Sequence, residues 1–216
     1  MPCLHIPKDE ICLYGPDMRF GAECFLLPQQ LNFNHGPVVA EDFPNVLVMT
    51  GGSDPLELSN SLPEFLEASL DSSIQITWVQ GPYALSPNVK YCENKHRWTV
   101  LEAPDDLPLR IPTFHAALCV FGVSYFECLQ ANVPTIVFDP IQAATGEEWE
   151  LLRSLMPDRV ASGAFDAVER LSRLLADGPD YHEAAVDFSR QLAVGPKRFA
   201  DFVSQRWRTF QANSNV

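Results

Sequence analysis

The sequence is short of cations. Its 216 residues carry 15 Lys and Arg against 28 Asp and Glu, a net charge of −13. A field of that sign repels phosphate backbones and anionic lipid, so nucleic acid and membrane surfaces are disfavoured as partners. None of the six cysteines (Cys3, Cys12, Cys24, Cys92, Cys119, Cys128) forms a Cys-x-x-Cys pair. A chain this long and apolar needs no disulfide staples, and Cys119 and Cys128, in apolar contexts, read as core residues. The five histidines (His5, His35, His96, His115, His182) show no metal-ligand spacing. No run approaches the ~20 apolar residues that a transmembrane helix needs, and no basic region followed by an apolar run marks a signal peptide. A cytoplasmic setting is expected. Walker loops, a Ser-His-Asp order, paired glycosidase carboxylates, internal repeats and low-complexity tracts are also missing.

What is present is an ordinary globular composition, 46% hydrophobic and 20% charged. Residues 1–44 are punctuated by Pro2, Pro7, Pro16, Pro28, Pro37 and Pro44. They read as an irregular lead-in packing on a domain spanning 45–216, with Ile11–Tyr14 as a short strand. From Asn45 the pattern alternates. Strands are expected at Val46–Met49, Ile74–Val79, Trp98–Leu101, Ala116–Phe121, Thr135–Phe138 and Arg159–Ala161. Helices are expected near 57–70, with Pro63 as a point of re-initiation, then weakly over 107–114, at Ser124–Ala131 and Glu147–Leu155, and near 165–176, 180–192 and 196–210. Alternating strand and helix predicts an α/β fold, a Rossmann-like doubly wound parallel sheet of about six strands.

Two strand-to-helix turns carry the candidate chemistry. Gly51-Gly52-Ser53-Asp54-Pro55 follows the first strand. Its glycines permit positive φ and close ligand approach, Ser53 or Asp54 can cap the next helix, and Pro55 suits the first helical position. Backbone N–H groups and the helix dipole there favour an anion. The motif alone is equally compatible with a capped turn that holds nothing. The second turn, Phe121-Gly122-Val123-Ser124-Tyr125-Phe126-Glu127, follows the fourth strand and emerges at the same sheet edge. Ser124 offers a hydroxyl to a phosphate oxygen. Glu127, one helical turn in, offers two acceptors to a ribose diol. Read by itself, Glu127 is only a helix-start acid favoured by the dipole. Asp139, Gln142, Glu147 and Glu148 surround a third loop at that edge and read equally well as a solvated acidic helix start. His115 reads as a core or edge residue, and the cations Lys197, Arg198, Arg206 and Arg208 as a solvated helix face.

These pieces, in order, resemble the C-terminal domain of GT-B fold sugar-nucleotide enzymes. The likeness is nearest to the UDP-sugar hydrolases of the pseudaminic acid pathway and their spore-coat polysaccharide relatives, and more distant to the lipid II-forming N-acetylglucosaminyltransferase. It is carried by Leu13–Met18, Leu47–Pro55, Val123–Glu127, Asn132–Val137 and Gly195–Arg198. The resemblance implies that Gly51, Gly52, Ser53 and Asp54 face a diphosphate with Ser124 and Gly122 beside them. It implies that Glu127 holds the ribose, and that the backbone at Leu101, Ala103 and Pro104 meets the uracil edge. UDP-sugar would be substrate or ligand, with no metal and no other cofactor.

Two local departures accompany it. Phe121 stands where the family has the first of two glycines and is expected to crowd the phosphate or sugar. The family's Asn-Gln pair after the Pro-Thr strand is absent, and Gln142 is the residue available in its place. These residues are also expected to hold no counterpart of the N-terminal domain, which in these enzymes supplies the acceptor site and catalytic base. The expected function is therefore the UDP-sugar-binding half of a glycosyltransferase or UDP-sugar hydrolase, completed by a partner protein or by homo-oligomerisation. The alternative is a GT-B-like binding or regulatory protein without turnover.

Overall fold

The computed structural model describes residues 21–32, 44–70, 74–89, 97–178 and 183–214. The expected strand at Ile11–Tyr14 and the motif Leu13–Met18 lie outside the described residues. Six parallel strands form one sheet: β1 (Asn45–Met49), β2 (Gln75–Gln80), β3 (Arg97–Glu102), β4 (Ala116–Val120), β5 (Thr135–Phe138) and β6 (Val160–Ala161), in the order β3-β2-β1-β4-β5-β6. That is the doubly wound order, in which the connections reverse direction between β1 and β4. The α/β expectation holds.

The helices are α1 (Leu58–Ser69), α2 (Leu107–Arg110), α3 (Val123–Gln130), α4 (Gly146–Leu155), α5 (Ala164–Asp177), α6 (Glu183–Ala193) and α7 (Gly195–Ser214). Side chains alternate along a strand, so each central strand feeds two cores. Val46, Val48, Ala116, Leu118, Ile136 and Phe138 meet Leu62 and Leu66 of α1 and Val168 and Leu171 of α5. Leu47, Met49, Ala117, Cys119 and Val137 point the other way, into a core shared with Tyr125, Phe126 and Cys128 of α3, Leu152 of α4 and Leu192 of α6. Cys119 and Cys128 are thus core residues. Burial, with a hydrogen bond to the Cys128 thiol, pushes the Cys119 thiol well up and keeps it inert.

Residues 21–32 complete that second core. Two short 3-10 turns, Ala22–Cys24 and Gln29–Asn32, bring Phe25 onto Phe126 with ring centroids 4.4 Å apart. Gln130 Nε2 donates to the Pro28 carbonyl at 3.2 Å. Gly195, at the start of α7, passes so close to the Phe25 carbonyl that a Cβ there would overlap its oxygen.

Pro63 does not re-initiate α1; the helix runs through it. Proline removes the N–H that would bond the carbonyl four residues back. That carbonyl, on Ser59, accepts instead from Asn88 N at 2.8 Å. The missing helical bond is replaced by one from the loop after β2.

Candidate active-site cleft

The crevice beyond the carboxyl ends of β1 and β4 is where a doubly wound sheet binds ligands. A cleft of ≈ 160 Å³ lies there, walled by Thr50–Ser53, Pro55, Leu56 and Leu58 on the β1 side, Val120 and Phe121 after β4, and Pro140 and Ile141 after β5. None of these side chains is ionisable. Gly51 sits at φ +94°, a conformation that penalises any side chain. At Gly51 and Gly52 a Cβ would meet nothing within 4 Å, so both face open space. Behind them the turn is held rigidly. Gly81, after β2, lies against Gly51 and Gly52, and Tyr83 N donates to the Gly52 carbonyl at 2.9 Å.

Asp54 does not face the cleft. It is buried at φ +44°, and its two carboxylate oxygens accept from Leu58 N (3.0 Å) and Ser59 N (2.8 Å). Asp54 thus caps α1 as expected, though from four residues before its start; the expectation for Pro55 is corrected, since it lies in the intervening turn rather than at the first helical position. The caps also occupy N–H groups of α1 that an anion would otherwise use. Ser53 is exposed on the cleft wall.

The start of α3 differs. Gly122 precedes it in extended backbone and no side chain caps it, so its first N–H groups are open to an outside acceptor. Ser124 and Glu127, three residues apart, share one face of α3 while Tyr125, Phe126 and Cys128 turn into the core. Glu127 is half-buried, and its carboxylate makes no hydrogen bond or ion pair among the described residues. Loss of solvent raises its pKa. Gly122, Ser124 and Glu127 adjoin Phe121 in sequence but are not in the cleft wall itself.

Phe121 turns most of its ring away from the cleft. It packs edge-on against Phe126 (5.6 Å) and Trp149 (5.9 Å), leaving 5% of the residue exposed. The aromatic cluster takes up much of its bulk, and the residue still forms part of the wall.

The remaining expected residues are placed elsewhere. Leu101, Ala103 and Pro104 lie at the end of the edge strand β3, two strands from β1 and outside the cleft wall. Ala103 N already donates to Gln80 O (2.9 Å), and Pro104 O accepts from Leu107 N (3.2 Å). Gln142 is exposed at φ +53° in the β5 loop, next to Ile141. Asp139 organises that loop by accepting from Ala143 N (2.9 Å) and Ala144 N (2.8 Å). Glu148 forms a capping box with Thr145, so these two acids have structural partners. His115 lies at the opposite, amino end of the sheet, where its Nδ1 accepts from Asn45 N at 3.0 Å.

Thr50 and Gly81 carry functional geometry that motif reading passed over. Thr50 lines the cleft, is buried, and its hydroxyl has no partner among the described residues. Ser59 and Tyr125 also bury hydroxyls without a partner among the described residues, but only that of Thr50 belongs to the cleft wall. Its signal was its position, the last residue before the glycines. Gly81, beside Pro82, carries no such signal, because a close approach between loops leaves no trace in local sequence. Among the described residues, no group of three or more His, Cys, Asp or Glu is placed to hold a metal. No described helix is long and apolar enough to cross a membrane.

No family model and no curated sequence matches this chain. Solved structures do match its fold. CalG4, the calicheamicin glycosyltransferase, superposes with a TM-score of 0.55 at 18% identity, over 77% of this chain and 43% of that one. SnogD, a glycosyltransferase from Streptomyces nogalater, gives 0.55 at 18% over 93% of this chain and 52% of that one. MurG from Acinetobacter baumannii gives 0.54 at 18% over 77% and 51%. The chain therefore has the fold of one half of a GT-B glycosyltransferase. It spans about half the length of each of these structures.

Proposed function

We propose that the cleft binds a UDP-sugar, and that the chain is the nucleotide-sugar-binding half of a GT-B type glycosyltransferase or UDP-sugar hydrolase. The observation that carries this reading is the convergence at the β1/β4 switch point. The open Gly51-Gly52 backbone and the orphan Thr50 hydroxyl line one crevice, and Phe121 in its wall leads directly into the uncapped start of α3. Backbone N–H groups and the α3 dipole would stabilise the charge that builds on a diphosphate leaving group. Ser124 would reach a phosphate oxygen, and Glu127, free and half-desolvated, would take the ribose hydroxyls.

The group that moves a proton is not in this wall, whose lining carries no ionisable side chain. A second domain would supply that group and the acceptor site. The half-length match to GT-B structures supports this need for completion.

Calorimetric titration with UDP tests the reading. Micromolar affinity that falls at least tenfold in both Glu127→Gln and Gly52→Ala supports it, and absence of UDP binding to the folded chain defeats it. A second reading, a binding protein without turnover, is favoured by Phe121 in a wall position where glycine is expected. UDP release from UDP-sugars by the chain mixed with candidate N-terminal GT-B halves separates the two.

A further inference from the structure

Thr50 stands at a cost to the ligand-free chain. It is 3% exposed, and its Oγ1 has no hydrogen-bond partner among the described residues. A buried hydroxyl left unpaired is destabilising, and valine would keep the shape without that cost. Because this hydroxyl lines the cleft, a group from outside the chain can complete its bond.

Which part of a ligand it meets follows from the two faces of the sheet. Along β1, Leu47 and Met49 turn into the core shared with α3, and Val46 and Val48 into the core under α1 and α5. Thr50 comes next in the second series. Val120 and Leu58, which line the cleft with it, pack on that second core as well. The cleft thus leans toward the α1 face, whereas Glu127 belongs to α3, which packs on the other face.

A cleft of ≈ 160 Å³ has room for about five waters, so it takes one group of a nucleotide sugar and not the whole. Such a ligand is linear: nucleoside, diphosphate, sugar. With the ribose at Glu127 and the diphosphate over Gly51-Gly52, the group left for the α1 side is the sugar. We infer that Thr50 is a sugar-binding residue, its hydroxyl paired with a hydroxyl of the bound sugar. Of the wall's side chains only Thr50 and Ser53 can hydrogen-bond, and Ser53 is exposed. The Thr50 bond therefore orients the sugar among Leu56, Leu58, Val120, Pro140 and Ile141. The inference rests on the UDP-sugar reading above and assigns one residue to the sugar end of that ligand.

Calorimetric titrations with UDP, UDP-glucose, UDP-galactose and UDP-N-acetylglucosamine provide the test. The parent chain is expected to bind at least one conjugate more tightly than UDP. Thr50→Val weakens that conjugate about tenfold, the worth of one buried hydrogen bond, and leaves the Kd of UDP within about a factor of two. Thr50→Ser restores most of the loss. Glu127→Gln weakens UDP and its conjugates alike, which separates the two ends of the ligand. Ser59→Ala removes an unpaired hydroxyl outside the wall and changes no affinity. Without ligand, Thr50→Val melts at or above the parent. Lost affinity without lost stability distinguishes a ligand contact from a structural role. Equal affinity of the parent for UDP and all three conjugates overturns the inference. So does a Thr50→Val chain that binds the conjugate as the parent does, or one that weakens UDP as much as the conjugate. A lower Tm in ligand-free Thr50→Val overturns it too, by showing that the hydroxyl is already paired. Absence of UDP binding defeats the nucleotide reading itself, and the UDP titration alone tells that failure from the others.

Discussion

Replacing Gly81 with alanine probes how the Gly51-Gly52 turn is held. A Cβ at Gly81 would lie 2.5 Å from Gly51 O, Gly52 Cα and Gly52 O, below the 3.0 Å that real Cβ contacts respect. All three are backbone atoms, so no side chain can swing aside. The turn must retreat by at least half an ångström, and the Tyr83 N to Gly52 O bond stretches with it. Overpacking of this kind costs about 1–3 kcal/mol. For a domain of this size that is a Tm decrease of roughly 3–10 °C. Differential scanning calorimetry of the Gly81→Ala chain measures it, with Gly52→Ala as the control. Gly52 has open space at its Cβ position, so its substitution leaves Tm within about a degree, ordinary for a surface change. A Gly81→Ala chain as stable as the parent refutes the claim that this contact pins the turn. If nucleotide binds as proposed, Gly81→Ala weakens it by moving the turn, and Gly52→Ala weakens it by filling the cleft.

Asp54→Ala removes a buried carboxylate that caps two N–H groups of α1, and urea unfolding is expected to show a loss of about 2–3 kcal/mol. Asp54→Asn recovers part of that loss, since asparagine also tolerates positive φ. Glu127 has a raised pKa in the folded chain, so the folded state holds its proton more tightly. Stability attributable to this residue is greatest below its ordinary pKa and falls as pH rises from there to the raised value. Glu127→Gln is therefore expected to raise Tm at neutral pH and to lose that advantage in acid; an equal gain at every pH would contradict the desolvation argument. Gly195→Ala drives a Cβ into the Phe25 carbonyl, and circular dichroism is expected to show loss of cooperative unfolding or a Tm decrease larger than that of Gly81→Ala.

Most of the architecture was legible because each central strand is a short apolar run ending in glycine or proline. Val46–Met49 and Ala116–Val120 are buried on both faces and contain almost nothing polar, and the helical patterns between them left one sensible topology. The details that failed depend on long-range partners. Pro63 looks like a break unless Asn88 is known to bond the Ser59 carbonyl. Asp54 looks like a ligand-facing residue until its carboxylate is found on α1. Phe121 looks obstructive until Trp149, 28 residues later, is seen taking its ring. The candidate site was legible at Gly51, Gly52 and Ser53, which line the cleft, and at the α3 start beside it. Leu101, Ala103 and Pro104 are outside the cleft wall, and their assignment rested on resemblance alone.

Residues 21–32 have a seat made largely from the chain's last helices. Arg198 reaches back 175 positions to Glu23, Gly195 abuts Phe25, and Ser189 donates to the carbonyl of Gln130, whose own side chain holds Pro28. A ribosome makes residues 21–32 well before that seat exists. The sheet can close as soon as Ala161 has emerged, and Phe25 can then settle on Phe126, but the rest of its seat is absent until α6 and the start of α7 arrive. Closing a loop of that length adds entropy cost late in assembly. This corner is therefore the last to form and the first to open, and native-state hydrogen exchange would find residues 21–32 and the start of α7 exchanging together as one unit.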